Sequence, residues 1–420
     1  NCKNKEEKLS LVDNTKFKQL DFDRIFPDKN NMWINQTDND FENLLPVCDK
    51  QVKLNKAQNA IFRLYSLGVV TARDEWVYDF DKKHLKDKIQ YFIDAYNNQI
   101  NNDLDYSIKW TRAVKQDLEK GFKYQFNDNL IIDCIYRPFS KKKLYFCKHL
   151  NEMQYQLPSI FGNRGLLNNN SIVFSDTAFR SEFSIIAVNN IPEYHFAAST
   201  DGFQNLPFYI YDKDGNPHDN ITDWALNQFQ NHYIRTASPL RTGSPEINKL
   251  DIFHYVYAVL HNPAYREKYQ QNLKREFPRI PFYDDFAQWA NWGKQLMDLH
   301  LNYETIEPYP LKRQDINLAK IPKTKLKADK EQGLIFIDDN TTLSNIPASA
   351  WDYKLGNRCA LEWVLDQYKE KKPKDPTIAE KFNNYRFADY KEQVIELLMR
   401  VCAVSVATVK IVQAMEEYKG

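Results

Sequence analysis

Two stretches of this chain concentrate the residue types that hold phosphate groups. The first is Tyr136-Arg137-Pro138-Phe139-Ser140-Lys141-Lys142-Lys143-Leu144-Tyr145-Phe146-Cys147-Lys148, with five basic residues (Arg137, Lys141, Lys142, Lys143 and Lys148), no acidic one, and interleaved aromatics. Lys and Arg neutralise phosphate oxygens, and a lysine triplet between two apolar runs reads as a turn that presents them. The bland alternative is a solvated hairpin tip whose lysines guard strand edges. The second stretch, Leu311–Lys330, sets Lys312, Arg313, Lys320, Lys323, Lys325, Lys327 and Lys330 against Asp315 and Asp329. In an extended strand Lys323, Lys325 and Lys327 share one face. Such a comb suits a phosphate backbone, and a solvated linker explains it equally well. Between the two stretches, Asn163, Arg164, Asn168–Asn170, Arg180 and Gln204 are of the types that read base edges.

Other chemistries find little support. No Gly-Lys-Ser/Thr occurs for a phosphate-binding loop. There is no G-x-S-x-G elbow and no H-E-x-x-H. The pair Gly162 and Gly165 is too sparse for a phosphate cradle. A methyltransferase would need a Gly-rich turn and an N-P-P-Y-like element, and neither is present. His254 and His261 share a helix face, but no third metal ligand lies nearby, so packed or capping histidines are expected. Asp74-Glu75 and Asp284-Asp285 are adjacent acids whose side chains diverge; helix-terminus charges explain them better than acid–base catalysis. Cys134 and Cys147 are expected as buried free thiols. The six cysteines are dispersed, which suggests a reduced, intracellular protein. No stretch nears eighteen uninterrupted apolar residues, so no membrane span is expected.

These residues need elements to position them. Leu85, Ile89, Phe92, Ile93 and Tyr96 recur at helical spacing within 81–99, and a second helix fits Tyr106–Gly121. Leu130-Ile131-Ile132, Leu144-Tyr145-Phe146, Ser171–Phe174, Ser184–Val188 and Phe208–Tyr211 read as strands between Asn, Pro and Gly clusters. Helices follow at Asn248–His261, Ala264–Glu276 and Asp285–Leu299. One strand is expected at Leu334–Ile337, and further helices at Ala360–Tyr368 and Asp389–Met415. The 420 residues have room for two to three domains. The expected class is α+β. Residues 1–125 form a mostly helical connector, 126–246 an irregular β-rich or α/β recognition part, 247–305 a helical part, and 306–420 a basic segment with C-terminal helices. Net charge is +1, from 57 basic and 56 acidic residues, so basic patches must be balanced by acidic surface elsewhere. The first residue is Asn1, which suggests a processed chain or a piece of a longer one.

Several motifs occur in an order that resembles a known family. Tyr136-Arg137-Pro138-Phe139, followed by Lys142 and Leu144-Tyr145, is similar to the Y-R-P-F-D-x-R element in the C-terminal specificity region of type ISP restriction–modification enzymes. Trp33-Ile34-Asn35-Gln36, Ser66-Leu67-Gly68 with Arg73–Tyr78, Ile108–Arg112, Phe253–Arg266, Phe277–Pro281, Leu299–Glu304, Ala360–Tyr368 and Val404–Val409 continue the series. Each motif is weak alone, and their order over nearly the whole chain is specific. One departure stands out. Ser140 replaces the commoner Asp, and Lys142 replaces a frequent Arg, so local packing should differ if that Asp–Arg pair is structural.

The resemblance implies sequence-specific recognition of double-stranded DNA by a chain without a catalytic site or cofactor of its own. An adjacent adenine methyltransferase domain of the same polypeptide would precede it. S-adenosylmethionine, ATP and Mg would serve that and the other missing parts, in the bacterial cytoplasm and away from membranes. The DNA-contacting candidates are Arg137, Lys141, Lys142, Lys143, Lys148, Arg164, Arg180, Gln204, Lys323, Lys325 and Lys327. The shared motifs themselves, including His254, Tyr255 and Arg279, are expected to be scaffold. Two other readings are a protein-interaction module docking a partner subunit and a secreted glycan-active protein.

Overall fold

The computed structural model describes residues 4–16, 18, 24–28, 31–34, 36–49, 59–100, 108–198, 200–236, 246–316 and 321–418. Tyr106, Asn35 and Lys320, each part of an expectation above, lie outside them. The chain divides into a short unit, Asn1–Asp40, and a large one, Phe41–Gly420. Among its described residues the short unit has the α-helix Lys5–Asn14, at whose start the Asn4 side chain accepts from Glu7 N at 2.8 Å. That helix buries none of its side chains.

The large unit is α+β. One sheet runs in the order Tyr78–Asp79, Ser140–Tyr145, Ile131–Arg137 and Ile191–Pro192, its last pairing parallel. A second runs Ser66–Leu67, Phe203–Pro207, Ser171–Ser175 and Ile185–Val188, all antiparallel. Both sheets therefore take an edge strand from before residue 125. A third antiparallel sheet orders Lys312–Asp315, Thr341–Ser344, Leu334–Asp338 and Thr324–Asp329. Only its 334–338 strand stands out in the sequence. The other three carry Lys, Arg, Asp and Thr, with too few apolar positions to mark a buried face.

The helices follow their apolar periodicity closely. The 81–99 pattern is observed as Lys82–Asn98, with Asp81 capping at His84 N. Asn248 and Asp251 form a capping box that opens Lys249–Val259. The expected helix over 106–121 is Arg112–Glu119 among the described residues. The single helix expected over 264–276 is two short ones, Pro263–Lys268 and Gln270–Leu273, broken at Tyr269. A helix at Asp223–Thr236 lies inside the stretch read as β-rich. Its sequence signal is the Ala225 and Phe229 pair at i,i+4, both fully buried. The tail ends in Lys391–Glu417.

Three apolar clusters hold the unit together. One gathers the 249–259 and 286–301 helices against the second sheet. A second joins the third sheet to the C-terminal helices, and a third packs the 82–98 helix on the first sheet. Burying each large apolar side chain contributes roughly 1.5–3 kcal/mol. Where the 249–259 and 286–301 helices cross, a Cβ at Gly293 would stand 1.7 Å from the His254 carbonyl oxygen. Only glycine permits this approach.

Candidate nucleic-acid interface

The hairpin of the first basic stretch turns at Pro138-Phe139, not at the lysines. Arg137 pairs with Ser140 across the turn, and Phe139 adopts φ +57°. Proline supplies the preset φ of the first turn position. Phe139 holds its left-handed conformation because its ring is buried, edge-on to Tyr303 at 5.1 Å. The lysine triplet consequently lies inside the 140–145 strand, hydrogen-bonded to 131–137. The expectation of a lysine-bearing turn is corrected on this point.

Each member of that stretch has its own surroundings. Arg137 Nη1 donates to Glu193 Oε2 at 2.6 Å and to the Tyr136 carbonyl at 2.6 Å, and its guanidinium lies 4.2 Å from the Tyr136 ring centroid. Burial works against the charge, but Glu193, Tyr136 and Asp74 together outweigh it and hold the Arg137 pKa above its ordinary value. Lys141 pairs with Glu304. Lys143 donates to Asp133 at 2.7 Å. Lys142 has no carboxylate partner among the described residues. Its ammonium sits 3.9 Å from the Tyr136 centroid and 4.9 Å from that of Phe80. Desolvation by these walls, with Arg137 nearby, pulls its pKa down to about 7. At the two positions that depart from the family element, Ser140 is buried with its hydroxyl unpartnered, and Lys142 lies between the Tyr136 and Phe80 rings. The three lysines line a cleft of about 440 Å³ that Phe80, Glu304 and Arg400 share. Lys148, beyond the strand, is exposed and unpaired among the described residues.

The remaining candidates divide in the same way. Gln204 is 4% exposed on an interior strand, opposite Phe174 and Leu67. It does not reach the surface, so it is framework in this conformation rather than a base-edge reader. Arg164 and Arg180 are exposed, and their guanidinium groups have no partner among the described residues. Arg164 stands beside exposed Asn163 and Leu166, in a loop that the Tyr211 hydroxyl anchors at the Asn168 carbonyl. Arg180 is held through its backbone, whose N–H donates to Asp201 at 2.9 Å. In the second basic stretch, Lys325 and Lys327 point outward on either side of buried Leu326. A bulge between Thr324 and Lys327 gives Leu326 φ +43°. Lys325 pairs with Asp339 at 3.2 Å, Lys330 with Glu362 at 2.9 Å, and Arg313 with Glu392 at 2.6 Å. Lys323 and Lys327 remain exposed and unpaired among the described residues.

What sequence reading missed are the acids. Glu193, Asp133, Glu304 and Asp339 neutralise four of the eleven candidates, and Glu193 is 56 residues from Arg137 in sequence. Asp74 and Glu75, weighed above as an acid–base pair, are structural. Asp74 accepts from the Tyr136 hydroxyl at 2.8 Å, and the Glu75 carboxylate holds the Lys374 and Asp375 backbone N–H groups. The His261 Nδ1 donates to the Tyr257 carbonyl at 2.8 Å. Cys48, Cys134, Cys147, Cys359 and Cys402 are free thiols. Among the described residues no helix is long and apolar enough to cross a membrane, and no cluster of three metal-ligating side chains forms.

The α+β frame thus holds some of these cations in internal ion pairs and leaves others facing outward. The family model for the type ISP C-terminal specificity domain matches residues 60–397, and the chain belongs to that family. No curated protein matches it. Among solved structures, a DrdV–DNA complex is 47% identical with a TM-score of 0.87, over 97% of this chain and 42% of that one. A nuclease-deletion form of the type ISP restriction–modification enzyme LlaGI, in complex with a DNA substrate mimic, is 28% identical with a TM-score of 0.76, over 99% of this chain and 38% of that one. The ATP-dependent type ISP enzyme LlaBIII, bound to DNA, is 27% identical with a TM-score of 0.77, over 94% of this chain and 25% of that one. The chain thus spans less than half the length of these relatives.

Proposed function

We propose that this chain recognises a specific sequence in double-stranded DNA as the specificity part of a longer restriction–modification polypeptide. The observation that carries the reading is its likeness, over nearly its whole length, to proteins whose structures hold DNA. Unpaired, exposed cations supply the chemistry. Lys148, Arg164, Arg180, Lys323 and Lys327 make no side-chain ion pair among the described residues and would take phosphate or base-edge contacts without breaking one. Lys141, Lys143 and Lys325 would first exchange a carboxylate for a phosphate. Arg137, Lys142 and Gln204 act as framework.

Phosphate contacts fix register, and base-edge contacts carry sequence information. Arginine beside asparagine in the 163–170 loop suits bidentate readout of guanine and adenine. An adenine methyltransferase domain of the same polypeptide would receive the recognised site and flip its target base. S-adenosylmethionine, ATP and Mg belong to those other parts, in the bacterial cytoplasm.

The test is duplex affinity measured against salt by fluorescence anisotropy. Log K should fall linearly with log salt, and Lys323→Gln or Lys327→Gln should each reduce the slope by about 1 if it holds a phosphate. Arg164→Ala should instead relax sequence preference. A flat salt dependence overturns the reading.

A further inference from the structure

The lysine cleft holds one amine that its ion pairs leave over. Three acids line the cleft, and each takes one cation: Glu304 takes Lys141, Asp133 takes Lys143 and Glu396 takes Arg400. Lys142 lines the same cleft and has no carboxylate partner among the described residues.

What surrounds Lys142 is ill suited to an ammonium. Its Nζ stands 3.9 Å from the Tyr136 ring centroid and 4.9 Å from that of Phe80. The Arg137 guanidinium lies 4.2 Å from the same Tyr136 ring, so two cations draw on one set of ring electrons. The rings displace water from the amine and offer no hydrogen-bond acceptor in return. Desolvation is the largest influence on its charge. Arg137, Lys88 and Lys371 also oppose that charge, and Asp74 favours it. Together they bring the Lys142 pKa down to about 7, so about half of the chains carry the neutral amine at that pH. The side chain is half-buried, and its amine, unlike the Ser140 hydroxyl, is not sealed from solvent.

A neutral lysine amine, desolvated beside a second cation, is an activated nucleophile toward a carbonyl carbon. The rest of the wall sets the character of the carbonyl compound. With Lys142 uncharged, three cations face three acids, so no net charge draws an ion into the cleft. Phe80, Tyr368, Tyr390 and Leu397 supply aromatic and apolar surface. The volume of about 440 Å³ lies in the range of small-molecule sites.

We propose that Lys142 is a covalent binding site for small, uncharged aromatic aldehydes, which it holds as an imine. The Nζ lone pair adds to the carbonyl carbon. The oxygen then leaves as water with both amine hydrogens, and a C=N bond stands where the C=O bond was. The step needs neither oxidant nor reductant, and it is reversible. It does not rest on the DNA-recognition reading.

Reductive trapping on the 420-residue chain tests this, with benzaldehyde as the probe and cyanoborohydride to fix the imine. Peptide mass spectrometry then reads the benzylation rate of each lysine. At about pH 7.5 Lys142 should be labelled at least about tenfold faster than exposed Lys148. Its rate should saturate with benzaldehyde, as binding in a cleft requires. In guanidinium chloride, where the cleft is lost, the two rates should converge. Equal rates in the folded chain overturn the proposal. So does a Lys142 rate that rises without saturation, or an advantage that survives unfolding and so comes from its neighbours in sequence.

Discussion

Arg137 and Glu193 meet at 2.6 Å across the parallel pairing of the 131–137 and 191–192 strands, and both side chains are nearly buried. The pair stands where the sequence shows only a basic residue in a basic stretch. Glu193 also accepts from the His195 N–H at 2.7 Å, so one carboxylate ties a strand end to the following turn. A guanidinium committed in this way is unavailable to phosphate.

Removing Arg137 leaves the Glu193 carboxylate, which burial already pushes up to about 7, buried and without its partner. Arg137→Met should destabilise the chain by about 3–5 kcal/mol in urea unfolding. Arg164→Ala, at an exposed and unpaired position, should stay within about 0.5 kcal/mol of the parent. Equal stability of the two variants would place Arg137 at the surface instead.

Lys142 should make stability depend on pH. Its folded pKa is about 7, below the ordinary value of 10.5, because the aromatic cage desolvates it. Between those two values the unfolded chain binds a proton that the folded chain does not. Stability therefore rises with pH across that window, as far as this group is concerned. Relative to Lys142→Met, the parent should gain stability between pH 7.5 and 9.5 in urea midpoints. A parallel pH course in both proteins would show that the ammonium is solvated.

Gly293 is the tightest test of the helix crossing. Gly293→Ala forces a methyl group against the His254 carbonyl. The helices must separate, and the loss should be about 3 kcal/mol or more, with apolar contacts of the 249–259 helix loosened. Hydrogen exchange of the 249–259 amides should accelerate. Unchanged exchange would mean that the helices cross elsewhere.

How much was legible in the sequence follows the range of each interaction. The sequence by itself determined the helices at 82–98, 249–259, 286–301 and 391–417, because periodicity and capping are local. It also determined the family, through the order of its motifs. Of the sheet at 312–344 only the 334–338 strand was legible, because the other three are too polar to show apolar alternation. Only the tertiary structure decided which cations are free. Lys143 and Lys148 look alike in sequence, yet one faces Asp133 across a strand pair and the other has no partner among the described residues. Charge neutralisation is a matter of distance in space, and residues far apart along the chain set it.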